Sequence, residues 1–285
     1  MSFRPGASSG ASTVSLGRYA VAVGVTVFAI VSQYFLPQTV PTLKILYDNL
    51  PGDLFVVYGI PAIAFAFLVG ARPLRDWSRR TGVASWQGLR WFGLLTLLAL
   101  LIVFVLAAIY AVLDPAALGL LNRPNPALQQ AAGNPWFFVG FSFVIGAFEE
   151  TIFRGWIFGY WRDRPGSWSV PATWTSVIFA GVHLYYATTY GAAYPLIFPS
   201  LFLTGFAFAA TYRFSGGNLV VPAFLHGASD ATSYLTLVSV DLGIALKYLI
   251  VGVGALIGLV HYMKEPDLPT ALVQPPAWPA EGLPT

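Results

Sequence analysis

The segment PWFFVGFSFVIGAFEETIFRGWIFGYW, residues 135–161, decides how the chain is interpreted. It is mainly apolar, yet it contains two adjacent glutamates, Glu149 and Glu150, followed by Arg154. A charged side chain at the centre of a membrane helix costs about 2.5–3.5 kcal/mol even on the lenient insertion scale, so it has to be paired, hydrated or coordinated. Ionisable residues in such a segment therefore indicate a functional site.

The composition of the whole chain is that of an integral membrane protein. Of its 285 residues, 56% are hydrophobic and 9% are charged, and the mean hydropathy is +0.68. A soluble domain has roughly 25% charged residues. Runs of about 20 apolar residues, enough to cross a hydrocarbon core of about 30 Å, lie at 18–36, 54–71, 89–113, 135–160, 169–187, 194–213, 218–237 and 243–263. These runs predict an all-α polytopic fold with about eight transmembrane helices.

The domain organisation follows from the same pattern. Residues 1–17 are polar and rich in small residues, which predicts a flexible N-terminus. Residues 18–263 are expected to form a single transmembrane domain, with the core of the site at 135–237. The final segment, 264–285, has six prolines in 22 residues and is predicted to be disordered.

The basic residues indicate orientation in a membrane rather than a nucleic-acid partner. The net charge is +3, but the basic residues border the apolar runs and form no single stripe. Three lie on one predicted side (Lys44, Arg123 and Lys247) and eleven on the other: Arg4, Arg18, Arg72, Arg75, Arg79, Arg80, Arg90, Arg162, Arg164, Arg213 and Lys264. The positive-inside rule then predicts a multi-pass protein of the cell membrane with both termini in the cytoplasm.

Two later apolar segments add further polar side chains: His183 in FAGVH, and His226 with Asp230 in HGASD. Residues four apart share one face of a helix, so His226 should lie beside Asp230. At about 1.5 Å rise per residue, Glu149 falls near the same membrane depth as these three residues. Three helices are therefore expected to present four groups to one intramembrane cavity, open to the cytoplasm.

The glutamate pair divides into two predicted roles. Glu150 precedes Arg154 by four residues, the favourable order for an ion pair on a helix. Glu149 then points about 100° away around the helix, where it is available as a general base. We expect His183 to be its neighbour. Cysteine is absent, which excludes a thiolate nucleophile and a Cys-ligated metal site.

The three motifs together resemble the CPBP family of intramembrane proteases, which includes the type II CAAX prenyl endopeptidases and the bacterial Abi proteins. They are E-E-x-x-x-R from Glu149 to Arg154, F-x-x-x-H from Phe179 to His183, and H-x-x-x-D from His226 to Asp230. The resemblance covers about residues 149–230. It implies a helical fold with eight membrane spans and peptide-bond hydrolysis inside the bilayer.

The resemblance also implies roles for the site residues. Glu149 and His183 would activate a water, His226 and the residue at 230 would stabilise the oxyanion, and Glu150 with Arg154 would support the site. The prenyl endopeptidases have Asn where this chain has Asp230, and an ionised Asp cannot donate to an oxyanion.

Three uses of Asp230 stay open. It is protonated in an apolar site, it orients His226, or it joins Glu149, His183 and His226 around a divalent cation. Zinc, with a water as the last ligand, would suit this set of nitrogen and oxygen ligands.

The expected partners are membrane lipid and a peptide or protein substrate. Prenylated CAAX tails, bacteriocin leaders and membrane-anchored regulators are all compatible with the sequence, and the oligomeric state is left open. A proton-coupled transporter is the main alternative, because intramembrane Glu, His and Asp are equally expected there. The clustering of these residues in one half of the chain disfavours it. A catalytically silent immunity or scaffold protein is disfavoured by the intact polar motifs.

Overall fold

The computed structural model describes residues 14–77, 86–123, 126–162 and 167–264. Within these ranges every regular element is helical and no strand occurs, which confirms the all-α prediction. The predicted flexible N-terminus and Pro-rich tail lie almost wholly outside the described residues, so both stay predictions.

Each of the eight predicted apolar runs overlaps one of the principal helices. These are α1 (Leu16–Ser32), α2 (Ile60–Leu68), α3 (Trp86–Leu113), α4 (Pro135–Glu150), α5 (Ser169–Val182), α6 (Tyr194–Phe214), α7 (Val220–Val238) and α8 (Val240–Lys264). Short α-helical segments lie at Leu36–Thr39, Lys44–Tyr47, Leu50–Leu54, Ala71–Trp77, Pro115–Gly119, Pro126–Ala131, Gly159–Arg162 and Tyr186–Tyr190. Pro41–Leu43, Leu120–Asn122 and Gly191–Ala193 are 3₁₀ turns, and Phe55–Gly59 and Thr151–Phe158 are π-helical.

Among the described residues, five continuous helices are long and apolar enough to cross a membrane. They are Leu50–Leu68, Gln87–Leu113, Pro135–Trp161, Tyr186–Phe214 and Val240–Val260. α1 and α5 are apolar but shorter. α7 is not among the five, and it carries His226, Asp230 and four Ser or Thr residues. A polytopic membrane protein is thus supported, while the count of eight spans stays a prediction.

The chain forms two compact units, Met1–Trp77 and Ser78–Thr285. In the first unit α1 packs against α2, and the hydroxyls of Ser32 and Tyr47 are hydrogen-bonded at 3.1 Å. The predicted single domain, 18–263, extends over both units, so its unity stays a prediction. All six predicted site residues belong to the second unit.

In the second unit α4 packs along α7, α3 packs against both α6 and α8, and α5 packs against α6. The crossing of α4 and α7 is close because glycines face each other there. A Cβ added to Gly146 would lie 2.7 Å from the backbone nitrogen of Gly227. Small residues at membrane helix crossings allow such close backbone approach. This crossing lies beside the two glutamates and His226.

Candidate active site

The glutamate pair sits at a change in helix type. Asn134 begins α4 as its N-cap, accepting a hydrogen bond from the backbone N–H of Phe137 at 3.2 Å. α4 ends at Glu150, and the chain continues without a break as the π-helical segment Thr151–Phe158. The π-helix is rare and is found frequently at functional sites. Glu149 and Glu150 are the last two residues before it.

Glu150 and Arg154 form a fully buried ion pair, with Nη1 of Arg154 donating to Oε1 of Glu150 at 2.8 Å. This confirms the pairing predicted from their spacing. Nη2 of Arg154 donates to the backbone carbonyl of Gly205 on α6 at 2.7 Å. A Cβ at Gly205 would come within 3.3 Å of that Nη2, so a glycine here leaves room for the guanidinium. The pair therefore joins two helices.

His226 on α7 lies between the two glutamates. Its Nδ1 is 2.8 Å from Oε1 of Glu150, and its Nε2 is 3.8 Å from Oε2 of Glu149. The same Nε2 is 3.5 Å from Oδ2 of Asp230, which confirms that these two residues share a helix face. The exposed fraction of the side chain rises from 0% at Glu150 to 16% at Glu149 and 41% at Asp230. The site is thus closed behind His226 and opens towards Asp230.

Aromatic rings enclose the buried side of the site. The ring of Phe208 stacks on the His226 imidazole with centroids 4.9 Å apart, and the ring of Phe179 meets it edge-on at 5.8 Å. The guanidinium carbon of Arg154 lies 4.9 Å from the Phe179 centroid and 5.4 Å from the Phe208 centroid. Such faces attract a cation, and the apolar surroundings strengthen the charge interactions of Arg154 and His226.

His183 caps the end of α5 and is held by contacts within its own segment. Its Nδ1 lies 2.6 Å from the carbonyl oxygen of Phe179, which only accepts hydrogen bonds, so Nδ1 carries a proton. In a neutral ring Nε2 is then the acceptor. The ring of Tyr186 stacks on the imidazole at 6.0 Å, and Phe179 packs at 4.8 Å.

The ring of Phe179 links the two histidines, because it contacts His183 and His226 alike. Asp230 is also within electrostatic range of His183 and Glu149. The structure therefore brings Glu149, His183, His226 and Asp230 into one region. A direct contact between Glu149 and His183 stays a prediction.

A metal-binding arrangement is not formed by the side chains that the structure describes. Among these residues no group of three or more His, Asp or Glu side chains is placed to hold a metal ion. Nδ1 of His226 is already engaged with Glu150. The residues as arranged do not fit the predicted zinc site of Glu149, His183, His226 and Asp230, so no catalytic step is assigned to a metal.

Several contacts in the site were not predicted from the sequence. They are the bond between Glu150 and His226, the carbonyl of Gly205, and the stacking of Phe208 on the imidazole. The sequence did indicate that Phe179 belongs near the site, because it precedes His183 by four residues in the F-x-x-x-H motif. The others depend on contacts between helices distant in sequence.

Comparison with known families agrees with this geometry. Residues 131–232 match the family model described as type II CAAX prenyl endopeptidase Rce1-like. The matched segment contains all six predicted site residues, and the match supports the predicted resemblance to the CPBP family. No curated protein and no solved structure matches the chain. The family match supports a CAAX-type intramembrane protease in general and a membrane location.

Proposed function

We propose that this protein is an intramembrane endopeptidase that hydrolyses a peptide bond with a water activated by Glu149 and His183. The observation that carries the proposal is the arrangement around His226, whose two ring nitrogens face Glu150 on one side and Glu149 with Asp230 on the other. An activated water needs a base, and the developing oxyanion needs a donor. These groups supply both.

Glu149 is the general base in this mechanism. Its side chain is 16% exposed and lies at the edge of the buried cluster. The carboxylate takes a proton from the water while Nε2 of His183 accepts a hydrogen bond from it. The oxygen attacks the peptide carbonyl carbon, and the carbonyl electron pair moves onto oxygen. When the C–N bond breaks, Glu149 returns the proton to the leaving amine.

His226 is the oxyanion donor. Its Nδ1 already donates to the Glu150 carboxylate, so only Nε2 faces the reacting atoms. To donate from Nε2 as well, the ring has to be the imidazolium. Glu149, Glu150 and Asp230 surround this ring with negative charge, which favours that form.

Asp230 orients His226 in this scheme. Its Oδ2 lies 3.5 Å from Nε2 of the ring, on the open side of the site. An ionised carboxylate at this position attracts the Nε2 side of the ring towards the open side of the site, whereas the acid that binds the opposite nitrogen, as in other acid–histidine pairs, is Glu150. This is the second of the three uses that the sequence leaves open.

The orientation with both termini in the cytoplasm, proposed from the arginine distribution, places the product on the inner side of the membrane.

The experiment that tests the proposal compares the wild type with Glu149→Gln and His183→Asn. The asparagine keeps a donor for the Phe179 carbonyl but lacks Nε2. The substrates are two internally quenched peptides of one sequence, ending in cysteine plus three residues, with and without an S-farnesyl group. Cleavage is followed in detergent micelles by fluorescence and mass spectrometry.

We expect kcat to fall about 10²- to 10⁴-fold in both variants, because removal of a general acid or base has effects of this size, while Tm stays close to that of the wild type. Turnover at the wild-type rate in both variants would remove the proposal. Absence of hydrolysis, together with Glu149-dependent flux in proteoliposomes, would establish the transporter instead. The farnesylated and plain peptides distinguish a prenyl-directed enzyme from a general one.

A further inference from the structure

The polar face of α7 continues beyond the proposed catalytic residues. Ser229 and Ser233 follow His226 at three and seven residues and flank Asp230, so all four share one helix face. Both serines are exposed. Within the part of the chain that the structure describes, neither serine hydroxyl makes a hydrogen bond.

Neighbouring hydroxyls behave differently. Oγ1 of Thr232 donates to the Ser229 carbonyl at 2.6 Å, and Oγ1 of Thr236 donates to the Ser233 carbonyl at 2.6 Å. Ser142 on α4 donates to the backbone of its own helix in the same way. Hydroxyls in these helices are therefore commonly satisfied by nearby carbonyls. The hydroxyls of Ser229 and Ser233 make no such bond to a carbonyl of the described residues, and they lie on the helix face that continues from His226 past Asp230.

This face is suited to a polar occupant rather than to lipid. A hydroxyl placed in hydrocarbon without a partner costs several kcal/mol, roughly 4–8 on the scale in which nothing can hydrogen-bond. The exposed fraction increases from 7% at His226 to 41% at Asp230, and the serines are exposed as well. Tyr234, next to Ser233, is within electrostatic range of both Asp230 and Tyr186, which stacks on His183. The side of α7 that carries Asp230 and Tyr234 thus lies near the segment that carries His183.

The spacing of the serines fits an extended peptide. Four residues along a helix span about 6 Å, and alternate residues of an extended chain are about 6.6–6.8 Å apart. A substrate segment unfolded within a membrane exposes backbone N–H and C=O groups that need partners. A serine hydroxyl can serve either, since it both donates and accepts.

We propose that Ser229 and Ser233 bind the main chain of the substrate, held as an extended peptide, at two residues of the same strand face. This site rests on the proposed endopeptidase function and adds its substrate-binding surface. The scissile bond lies at Glu149 and His226, and the bound segment runs from there along α7 past Asp230. Recognition by main-chain groups makes this part of the surface tolerant of side-chain identity.

The test uses the farnesylated quenched peptide and a set of copies, each with one N-methylated backbone amide. The proteins are the wild type, the double variant Ser229→Ala/Ser233→Ala, and Thr173→Ala as a control. Thr173 is an exposed hydroxyl residue on a different helix, α5. We expect the double variant to raise KM about tenfold with kcat within about twofold, since removal of binding shared by ground state and transition state acts on KM. The control should leave both constants unchanged.

N-methylation supplies a readout that a structural effect would not give. In the wild type, KM should rise when the methyl group is on one particular backbone amide of the peptide, or on either of two amides that are two residues apart. In the double variant the same methyl groups should have little further effect, because each change removes the same hydrogen bond. Two results would overturn the serine binding surface while leaving the endopeptidase proposal in place, provided that cleavage still depends on Glu149. One is an unchanged KM in the double variant, and the other is an equal increase in KM on N-methylation in the wild type and the double variant. Cleavage that is absent or independent of Glu149 overturns the endopeptidase proposal and this surface with it.

Discussion

Nδ1 of His226 lies 2.8 Å from Oε1 of Glu150, and the same carboxylate oxygen is 2.8 Å from Nη1 of Arg154. One buried oxygen therefore binds an arginine one turn later and a histidine on another helix. This arrangement fixes the rotation of the imidazole, so that its Nε2 faces Glu149 and Asp230. In the proposed mechanism Glu150 is thus a positioning residue, which acts on the reaction through His226.

The two ring nitrogens of His226 can be tested separately with His226→Asn and His226→Ala. An asparagine amide can replace Nδ1 as the donor to Glu150, but it has no group at the position of Nε2. We expect the Tm of the asparagine variant to be close to that of the wild type, and its kcat for cleavage to be lower by at least about 100-fold. The alanine variant should lose both cleavage and stability. Activity retained in the asparagine variant would place the oxyanion donor elsewhere.

Removal of Glu150 should be far more damaging than removal of an exposed acid at the same spacing. Glu150→Ala leaves the guanidinium of Arg154 buried without its carboxylate, which costs about 3–5 kcal/mol. The matched control is Asp48→Ala, because Lys44 and Asp48 form an i,i+4 pair at 2.6 Å with more than half of each side chain exposed. Pairs of that kind contribute about 0–1 kcal/mol. Both free energies of unfolding can be measured by SDS titration in mixed micelles, and equal losses would contradict the buried pair.

The six candidate site residues could be selected from the sequence because they are chemically out of place. Glu149, Glu150 and Arg154 interrupt an apolar segment, and helical spacing alone pairs Glu150 with Arg154 and His226 with Asp230. Helix type and the approximate positions of the eight helices followed from the apolar runs. These are local properties, which a single sequence records directly.

The cross-helix geometry could not be predicted in the same way. Glu150 meets His226 across 76 residues of sequence, and periodicity does not specify which nitrogen it binds. The π-helical segment after Glu150 also has no simple composition signal. Gly205 and Gly181 are both glycines in apolar helices, but a Cβ at Gly205 would meet Phe179 and Arg154, whereas a Cβ at Gly181 would meet nothing within 4 Å. Packing between helices decides such cases.

The approach of α4 to α7 can be tested at Gly146. A Cβ there would lie 2.7 Å from the Gly227 nitrogen and 2.8 Å from the Ala223 carbonyl oxygen, both of which are backbone atoms. Gly146→Ala should therefore cost about 1–3 kcal/mol by overpacking, and it should lower kcat by moving His226 away from Glu150. Gly140→Ala is the control on the same helix, where a Cβ meets nothing within 4 Å.

The control should be neutral or slightly stabilising, since alanine favours a helix over glycine by about 0.5–1 kcal/mol. Thermal unfolding and cleavage of the quenched peptide measure the two effects. If both substitutions behave alike, the close crossing is not what holds the two helices in register.

Metal removal distinguishes a metal-free mechanism at the acid–histidine cluster from a zinc-dependent one. As the described side chains are arranged, they do not form a metal-binding group, and Nδ1 of His226 is engaged with Glu150. We expect dialysis against EDTA to leave kcat unchanged, and metal analysis to show less than one equivalent of bound zinc. Loss of activity on chelation, restored by zinc in proportion to the metal bound, would require the four side chains to rearrange around the ion. Glu149→Gln, treated in parallel, reports any zinc that binds outside the site.

The predicted orientation can be measured directly because the chain contains no cysteine. A single cysteine introduced at Ser8 reports the N-terminal side, and one at Ala132, in the exposed turn before α4, reports the opposite side. In intact cells a membrane-impermeant maleimide should label Ala132→Cys and leave Ser8→Cys unlabelled, while inverted vesicles should give the reverse. This outcome follows from eleven basic residues on one side against three on the other. Labelling of Ser8→Cys in intact cells would invert the topology and place the open side of the site, at Asp230, towards the outer face.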